Sequence, residues 1–146
     1  MGLFATGVTV ITARSGEETR GMTANAVTSV SLEPLLLLVC IDRRARMAGL
    51  IVEAERFAVN ILRAEQEALS RHFAGRPDPA LAPRFDELAG VPILAASMAS
   101  LVCAIDRVLD GGDHLIVIGR VEALRRADDA GGPLLYYRGQ YCQLAA

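Results

Sequence analysis

The sequence predicts a mainly β protein, a β-barrel with short helices. Two apolar segments, Leu101 to Leu109 and His114 to Leu124, flank an Asp-Gly-Gly-Asp turn and predict a long hairpin. The β-branched residues between Gly7 and Ala13 predict another strand, and the apolar run Leu35 to Ile41 is typical of a strand buried on both faces. Strands of this length and composition favour a closed barrel that also packs against a partner.

Turn residues divide the chain between the predicted strand at Gly7 to Ala13 and the predicted strand at Leu35 to Ile41. Ser15-Gly16-Glu17 predicts a turn, and a second strand follows from about Arg20 to Thr28. That strand carries small and polar residues where a core strand would carry bulky ones, so we expect something to approach its backbone closely. Glu33-Pro34 then breaks the chain before Leu35.

Two short helices are predicted in the middle of the chain. From Ala45 to Glu55 apolar residues recur at steps of three and four, which favours a helix. A strand from Phe57 to Leu62 follows, and Glu65 to Phe73 is predicted to be the second helix. The segment Arg76 to Pro83 contains three prolines and is predicted to be a loop at a rim or a lid.

Composition limits the possible partners. The formal net charge is −2 and no basic cluster alternates with aromatic residues, which argues against nucleic acid. The longest apolar run is far shorter than the ~20 residues of a membrane helix. Hydrophobic residues make up 52% of the chain, so we expect a buried subunit interface. The three cysteines lack the paired spacing of a metal or redox site and indicate reduced thiols in the cytoplasm: Cys40, Cys103 and Cys142.

A polar segment between Gly21 and Ser31 is the first candidate for chemistry. Its Thr, Asn and Ser side chains offer donors and acceptors for a flavin ring and phosphate, and its small residues let the backbone reach both. An edge strand facing water, with Thr and Ser serving β propensity and turn capping, explains the same residues.

His114 is the second candidate, because it follows the tight turn Gly111-Gly112-Asp113. An imidazole there is suited to orienting a cofactor or moving a proton near neutral pH, although a surface histidine in a hairpin is an equal alternative. The other histidine, His72, is assigned to a solvated helix face. The two histidines have no ligand spacing, so no metal centre is expected.

The third candidate is the run Asp42-Arg43-Arg44-Ala45-Arg46. Its guanidiniums are able to clamp a phosphate, but a solvated turn paired with acids such as Asp42 and Glu53 explains the run as well. The chain has no glycine-rich dinucleotide fingerprint, so any nicotinamide cofactor binds without a Rossmann unit.

The order and the amino-acid sequences of these segments resemble those of the flavin reductase-like family, the small reductase components of two-component flavin monooxygenases. The similar segments are Phe4 to Val10, Gly21 to Pro34, Phe57 to Leu62, Gly112 to His114, and Pro133 to Gly139. The second is long and specific, and the five lie in the family's order. Residues 1–146 are therefore expected to form a single flavin reductase-like domain.

The resemblance implies an FMN-binding split barrel whose homodimer forms flavin sites at or near the subunit interface. The implied activity is that of an NAD(P)H:flavin oxidoreductase, which transfers a hydride from NADH or NADPH to FMN or FAD. The reduced flavin would supply a flavin-dependent oxygenase component. The alternative on the same fold is a non-enzymatic FMN-binding protein that exchanges electrons with a partner.

The resemblance also implies residue roles. The residues along the flavin ring and ribityl chain would be Thr23, Ala24 and Asn25, with Ser29 and Ser31 toward the phosphate. The neighbouring wall would consist of Cys40, Ile41 and Asp42, and the residues packed near the ring would be Phe73 and Ala74. His114 would place the nicotinamide or assist protonation of the flavin. Where the family commonly has serines after its arginine, this chain has Arg44-Ala45-Arg46, so phosphate binding is expected to rely on guanidinium groups such as that of Arg46.

Overall fold

The computed structural model describes residues 1–129 and 131–145. The strands within these ranges are β1 (Thr6–Gly7), β2 (Thr9–Ser15), β3 (Glu18–Ala24), β4 (Val27–Leu32), β5 (Leu35–Asp42), β6 (Arg56–Ile61), β7 (Phe85–Leu88), β8 (Val91–Leu94), β9 (Ala99–Gly111), β10 (His114–Arg126), β11 (Leu135–Tyr137) and β12 (Gln140–Cys142). The helices are α1 (Arg46–Ala54) and α2 (Glu67–His72), and a 3₁₀ turn at Ala64–Gln66 leads into α2.

Seven antiparallel strands form the central sheet, in the order β3-β2-β6-β9-β10-β5-β4. A second sheet has the order β1-β11-β12, and β7 and β8 form a separate hairpin. In the described ranges the edge strands β3 and β4 do not pair with each other, so the barrel is split. The mainly β prediction with short helices is confirmed, whereas the prediction of a closed barrel was wrong.

The long hairpin is confirmed. Strands β9 and β10 pair over their whole length around a loop at Gly112-Asp113, and Gly112 takes the positive φ of 74° that the turn requires. Two register shifts in this ladder mark bulges, which bend a long strand around a barrel. Strand β10 also pairs with β5, and this places His114 directly opposite Asp42.

The predicted single strand from Arg20 to Thr28 was wrong. Strand β3 ends at Ala24 and pairs with β2, whereas β4 begins at Val27 and pairs with β5. The chain crosses between the two edges of the sheet at Asn25-Ala26, where the Cys40 amide donates to the Ala26 carbonyl at 3.0 Å. A change of pairing partner, which no local pattern records, explains the break.

Strand β5 is buried on one face only within the chain. Leu37, Val39 and Ile41 are buried, but the alternate residues between them remain partly exposed. The prediction of burial on both faces was therefore wrong for a single copy of the chain, because Leu36, Leu38 and Cys40 on the second face line the apolar side of an open groove and are only partly covered.

Helix α1 closes one end of the barrel. Met47, Leu50 and Ile51 lie on one side of this helix and are buried with Phe57 and Ile41 of the sheet. The helix ends at Glu55, whose left-handed backbone returns its N–H to the Ile51 carbonyl at 3.1 Å. Helix α1 thus fixes the end of β5 that leads into it.

Within the described residues no helix is long and apolar enough to span a membrane.

Candidate flavin and nicotinamide site

Two concave regions adjoin the segment that joins β3 to β4. The first, called here the inner cavity, has a volume of about 720 Å³ and lies between β3, the start of α1 and the end of α2. The second, called here the apolar groove, has a volume of about 770 Å³ and lies between the N-terminal segment, the start of β4 and β5. The sequence from Gly21 to Ser29 passes from one to the other.

The predicted cofactor-binding residues divide between these regions. The inner cavity is lined by Thr23, Arg46, Phe73 and Ala74; the apolar groove is lined by Asn25, Ser29 and Cys40; and Ala24, Ser31, Ile41, Asp42 and His114 line neither. Ala24 is buried between the two regions, and its carbonyl accepts the Thr9 hydroxyl at 2.6 Å. The structure therefore brings the set to adjoining places rather than into one pocket.

The end of α2 is tied to β3 at the wall of the inner cavity. Thr23 donates its N–H to the Phe73 carbonyl at 3.0 Å and its hydroxyl to the Ser70 carbonyl at 2.6 Å. The Ser70 hydroxyl in turn lies 2.8 Å from the Tyr141 hydroxyl. The Phe73 ring covers Gly21, where a Cβ would come within 2.7 Å of the ring. The aromatic wall is thus held by the β3 backbone.

His72 belongs to this wall as well. Its Nδ1 accepts the Asp78 N–H at 3.0 Å, and its ring lies edge-on to Phe73 with 5.0 Å between centroids. The residue is half-buried and lines the inner cavity, so its assignment to a solvated face was wrong. The loop after α2 folds back over the imidazole, and sequence periodicity alone does not reveal this contact.

His114 lies at the end of the sheet that leads into α1. Its imidazole Nδ1 is 2.7 Å from an Asp113 carboxylate oxygen, and its side chain is 41% exposed. Opposite it, hydrogen bonds from Arg44 hold the pKa of Asp42 well below its usual range. The Asp42 carbonyl accepts the N–H of Ala45, which lines the inner cavity. The imidazole thus lies across the β5–β10 ladder from Asp42, which comes three residues before Ala45 of the cavity lining.

The arginines of the 43–46 segment are paired with carboxylates. Arg43 contacts Asp110, and Arg44 binds Asp42 at 2.8 Å. Arg46 forms a two-point contact with Glu18 at 2.7 and 3.0 Å. The paired-turn alternative describes this arrangement, with Asp42 the expected partner, while Glu53 accepts instead from Ser15 at 3.2 Å.

Sequence reasoning missed several residues around the two regions. Glu18 and Arg20 lie at the rim of the inner cavity, and Thr6 lies on the wall of the apolar groove. The Thr6 hydroxyl oxygen is buried without a hydrogen-bond partner in the described residues. Glu18 and Arg46 are 28 residues apart, so only the packing of α1 beside β3 brings them together. No cluster of metal-ligating side chains occurs in residues 1–129 and 131–145.

Comparisons with known proteins agree with this architecture. The family model described as flavin reductase like domain matches residues 1–145. The chain is 43% identical over 141 residues to the reductase component of 4-hydroxyphenylacetate 3-monooxygenase from Thermus thermophilus, covering 97% of this chain and 90% of that protein. It is 42% identical over 151 residues to an NADH-dependent FAD reductase from Streptomyces globisporus, covering 99% of this chain and 82% of that protein.

Solved structures give the same result for the fold. The flavin reductase PheA2 superposes with a TM-score of 0.95 at 41% identity, covering 99% of this chain and 94% of that one. An NADH:FAD oxidoreductase from Streptomyces globisporus, solved with NAD and FAD fragments, superposes with a TM-score of 0.88 at 41% identity, covering 99% and 88%. The split-barrel prediction and the resemblance are confirmed.

Proposed function

Since the chain belongs to the family of flavin reductase-like domains, we propose that it is an NAD(P)H:flavin oxidoreductase that reduces FMN or FAD. Relatives named as NADH-dependent reductases of FMN and of FAD are 40% and 42% identical to it. NADH is the donor that these names support. We also propose that residues 1–146 act together as a single flavin reductase-like domain.

The observation that carries the proposal is the inner cavity, since its chemistry fits a flavin phosphate and ring. Two guanidiniums, those of Arg20 and Arg46, lie at its rim, where a phosphate needs donors. Phe73 supplies an aromatic wall, and its ring packs directly on the β3 backbone because Gly21 has no side chain. The cavity thus has charged side chains at one end and an aromatic face at the other, and FMN correspondingly has a phosphate at one end and an aromatic ring at the other.

Each part of the proposed site has a separate task. The exposed Asn25 supplies its side-chain amide to a flavin edge, Thr23 and Ala24 hold the wall beside it, and Arg46 holds phosphate. When bound, the flavin accepts the hydride of the nicotinamide cofactor. Precise stacking supplies much of the rate, ~7 kcal/mol or more, and needs few catalytic side chains. His114, oriented by Asp113, positions the nicotinamide or supplies a proton at its imidazole.

We propose that a second copy of the chain covers the apolar groove. The lining carries no charged side chain among the described residues, so two copies meet without placing like charges together. Phe4, which lines the groove, is 66% exposed, and outside the groove Leu32 is 88% exposed. An exposed apolar surface of this kind marks an interaction site. Asn25 and Ser29 lie in the groove, so flavin binding involves the interface.

An oxygenase component is the proposed consumer of the reduced flavin. Relatives of this chain are named as reductase components or subunits of monooxygenases. The proposed place of action is the cytoplasm, where thiols such as those of Cys40 and Cys142 stay reduced.

The first experiment is nicotinamide oxidation by the purified protein, followed at the nicotinamide absorbance band. NADH and NADPH are each tested with FMN, with FAD and without flavin. We expect turnover that depends on added or retained flavin and is faster with NADH. Flavin binding without turnover for either nucleotide would overturn the reductase proposal in favour of an electron carrier.

A further inference from the structure

A carboxylate, that of Glu18, is hydrogen-bonded to both guanidiniums at the rim of the inner cavity. Glu18 accepts hydrogen bonds from Arg46 at 2.7 and 3.0 Å and from Arg20 at 2.6 Å. All three residues line the cavity. The cluster has two positive charges and one negative charge, so an additional anion is still attracted to it.

Arg46 is the arginine of the 43–46 segment that faces the cavity. Arg43 is bound by Asp110 and by the Gly112 carbonyl, away from the cavity lining, and Arg44 is bound by Asp42. A two-point contact between guanidinium and carboxylate has the geometry that a guanidinium also uses for phosphate. Glu18 therefore fills the positions that phosphate oxygens would take on Arg46.

The contact is easily displaced. The side chains of Arg46, Arg20 and Glu18 are 64%, 48% and 38% exposed. Ion pairs exposed to this degree contribute little to stability because water screens them. Helix α1 also begins at Arg46 with no side-chain cap and no acidic residue in its first turn. The positive end of the helix is thus left to an incoming anion.

We propose that Glu18 is a specificity-determining residue that competes with the flavin phosphate for Arg46 and so limits the preference of the protein for FMN over riboflavin. This inference rests on the proposed function, because it takes a flavin as the ligand. Riboflavin lacks the phosphate and shares the ring, so the competition acts on FMN alone.

The experiment compares the dissociation constants of FMN and riboflavin, measured by flavin fluorescence without nicotinamide, in wild type and in Glu18→Gln. We expect the constant for FMN to fall about fivefold in this variant and the constant for riboflavin to stay unchanged, as loss of one competing charge implies. Glu17→Gln, which removes the same charge from the neighbouring residue outside the cavity lining, should leave both constants unchanged. Arg46→Gln should weaken FMN binding and leave riboflavin binding unaltered.

Equal changes for both flavins in Glu18→Gln would overturn the inference. It would also be overturned if both constants stayed unchanged and the turnover assay showed a changed KM for NADH, which would place the nicotinamide phosphates at Arg46. Failure of the proposed function looks different. In that case no flavin supports nicotinamide oxidation by wild type, whatever the ratio of the two constants.

Discussion

The Phe73 ring lies on Gly21 so closely that a Cβ at position 21 would come within 2.7 Å of two ring carbons. We expect Gly21→Ala to displace Phe73, to weaken flavin binding about tenfold and to destabilise the fold by about 1–3 kcal/mol, the usual cost of overpacking. Equilibrium dialysis with FMN and urea unfolding measure the two effects.

Gly49→Ala is the matched control. Gly49 lies on the exposed side of α1, where a Cβ would meet no atom of another element within 4 Å, so alanine there should raise stability by about 0.5–1 kcal/mol and leave flavin binding unchanged. Wild-type FMN affinity in Gly21→Ala would show that the contact with Phe73 does not shape the site.

Asn60 connects four parts of the barrel through one buried amide. It donates to the Val10 carbonyl and to the Thr12 hydroxyl, each at 2.9 Å, and accepts from the Leu94 N–H at 2.9 Å and from the Ser100 hydroxyl at 2.7 Å. Asn60→Ala leaves buried groups without partners, so we expect a loss of about 3 kcal/mol in the free energy of unfolding. Urea unfolding with an unchanged slope would measure this loss.

The exposed amide of Gln143 provides the comparison for this prediction. Gln143→Ala removes the same functional group from an exposed position outside both lining surfaces and should leave the free energy of unfolding within about 0.5 kcal/mol of wild type. Similar stability of the two variants would mean that the Asn60 network contributes little to the fold.

Local patterns predicted some of this structure, and pairing between distant segments determined the rest. The β9–β10 hairpin could be predicted because its turn residues and its two apolar arms are adjacent in sequence. The β7–β8 hairpin was missed since its strands have four residues each and Pro92 interrupts the second. Its attachment, through the Thr12 hydroxyl and the Pro92 carbonyl at 2.6 Å, joins residues 80 positions apart.

The candidate site follows the same division. The polar segment around Thr23 was visible because such residues are unusual in a strand, but its passage from the inner cavity to the apolar groove depends on which edge each strand joins. Glu18 carried no signal at all. Its role depends on Arg46, and α1 brings the two together only in the folded chain.

Glu18 also makes the stability of the protein depend on pH. Hydrogen bonds from Arg46, and then from Arg20, lower its pKa from 4.5 to about 2. Because the folded-state pKa is the lower one, this contribution to stability is complete above pH 4.5 and is lost as the pH falls towards 2. Because water screens an ion pair this exposed, we expect the Tm of wild type to fall only slightly more steeply than that of Glu18→Gln over this interval. The slope of Glu17→Gln should match wild type. Parallel curves for wild type and Glu18→Gln would contradict the assignment.

Asn25 lies where the β3–β4 segment enters the apolar groove. We expect Asn25→Leu to abolish flavin binding, because it replaces an amide with a bulky apolar group, and to leave the dimer intact, because leucine suits an apolar surface. Equilibrium dialysis and analytical ultracentrifugation test the two parts. Thr28→Val, a change of nearly equal shape in the same groove, is the control for dimerisation. Unchanged flavin affinity in Asn25→Leu would remove Asn25 from the proposed site.

His114 distinguishes hydride transfer from flavin binding. Its imidazole is held by Asp113 at 2.7 Å and lies outside both lining surfaces, so its loss should leave flavin affinity nearly unchanged. We expect His114→Ala to lower kcat/KM for NADH about a hundredfold, the lower end of what a positioned general acid or base contributes. Stopped-flow reduction of FMN separates transfer from nicotinamide affinity. His114→Asn, which can still donate a hydrogen bond to Asp113, should recover part of the loss if orientation is the role. In a passive electron carrier neither His114 variant would change the rate of FMN reduction. Unchanged kcat/KM in both variants would remove His114 from the mechanism.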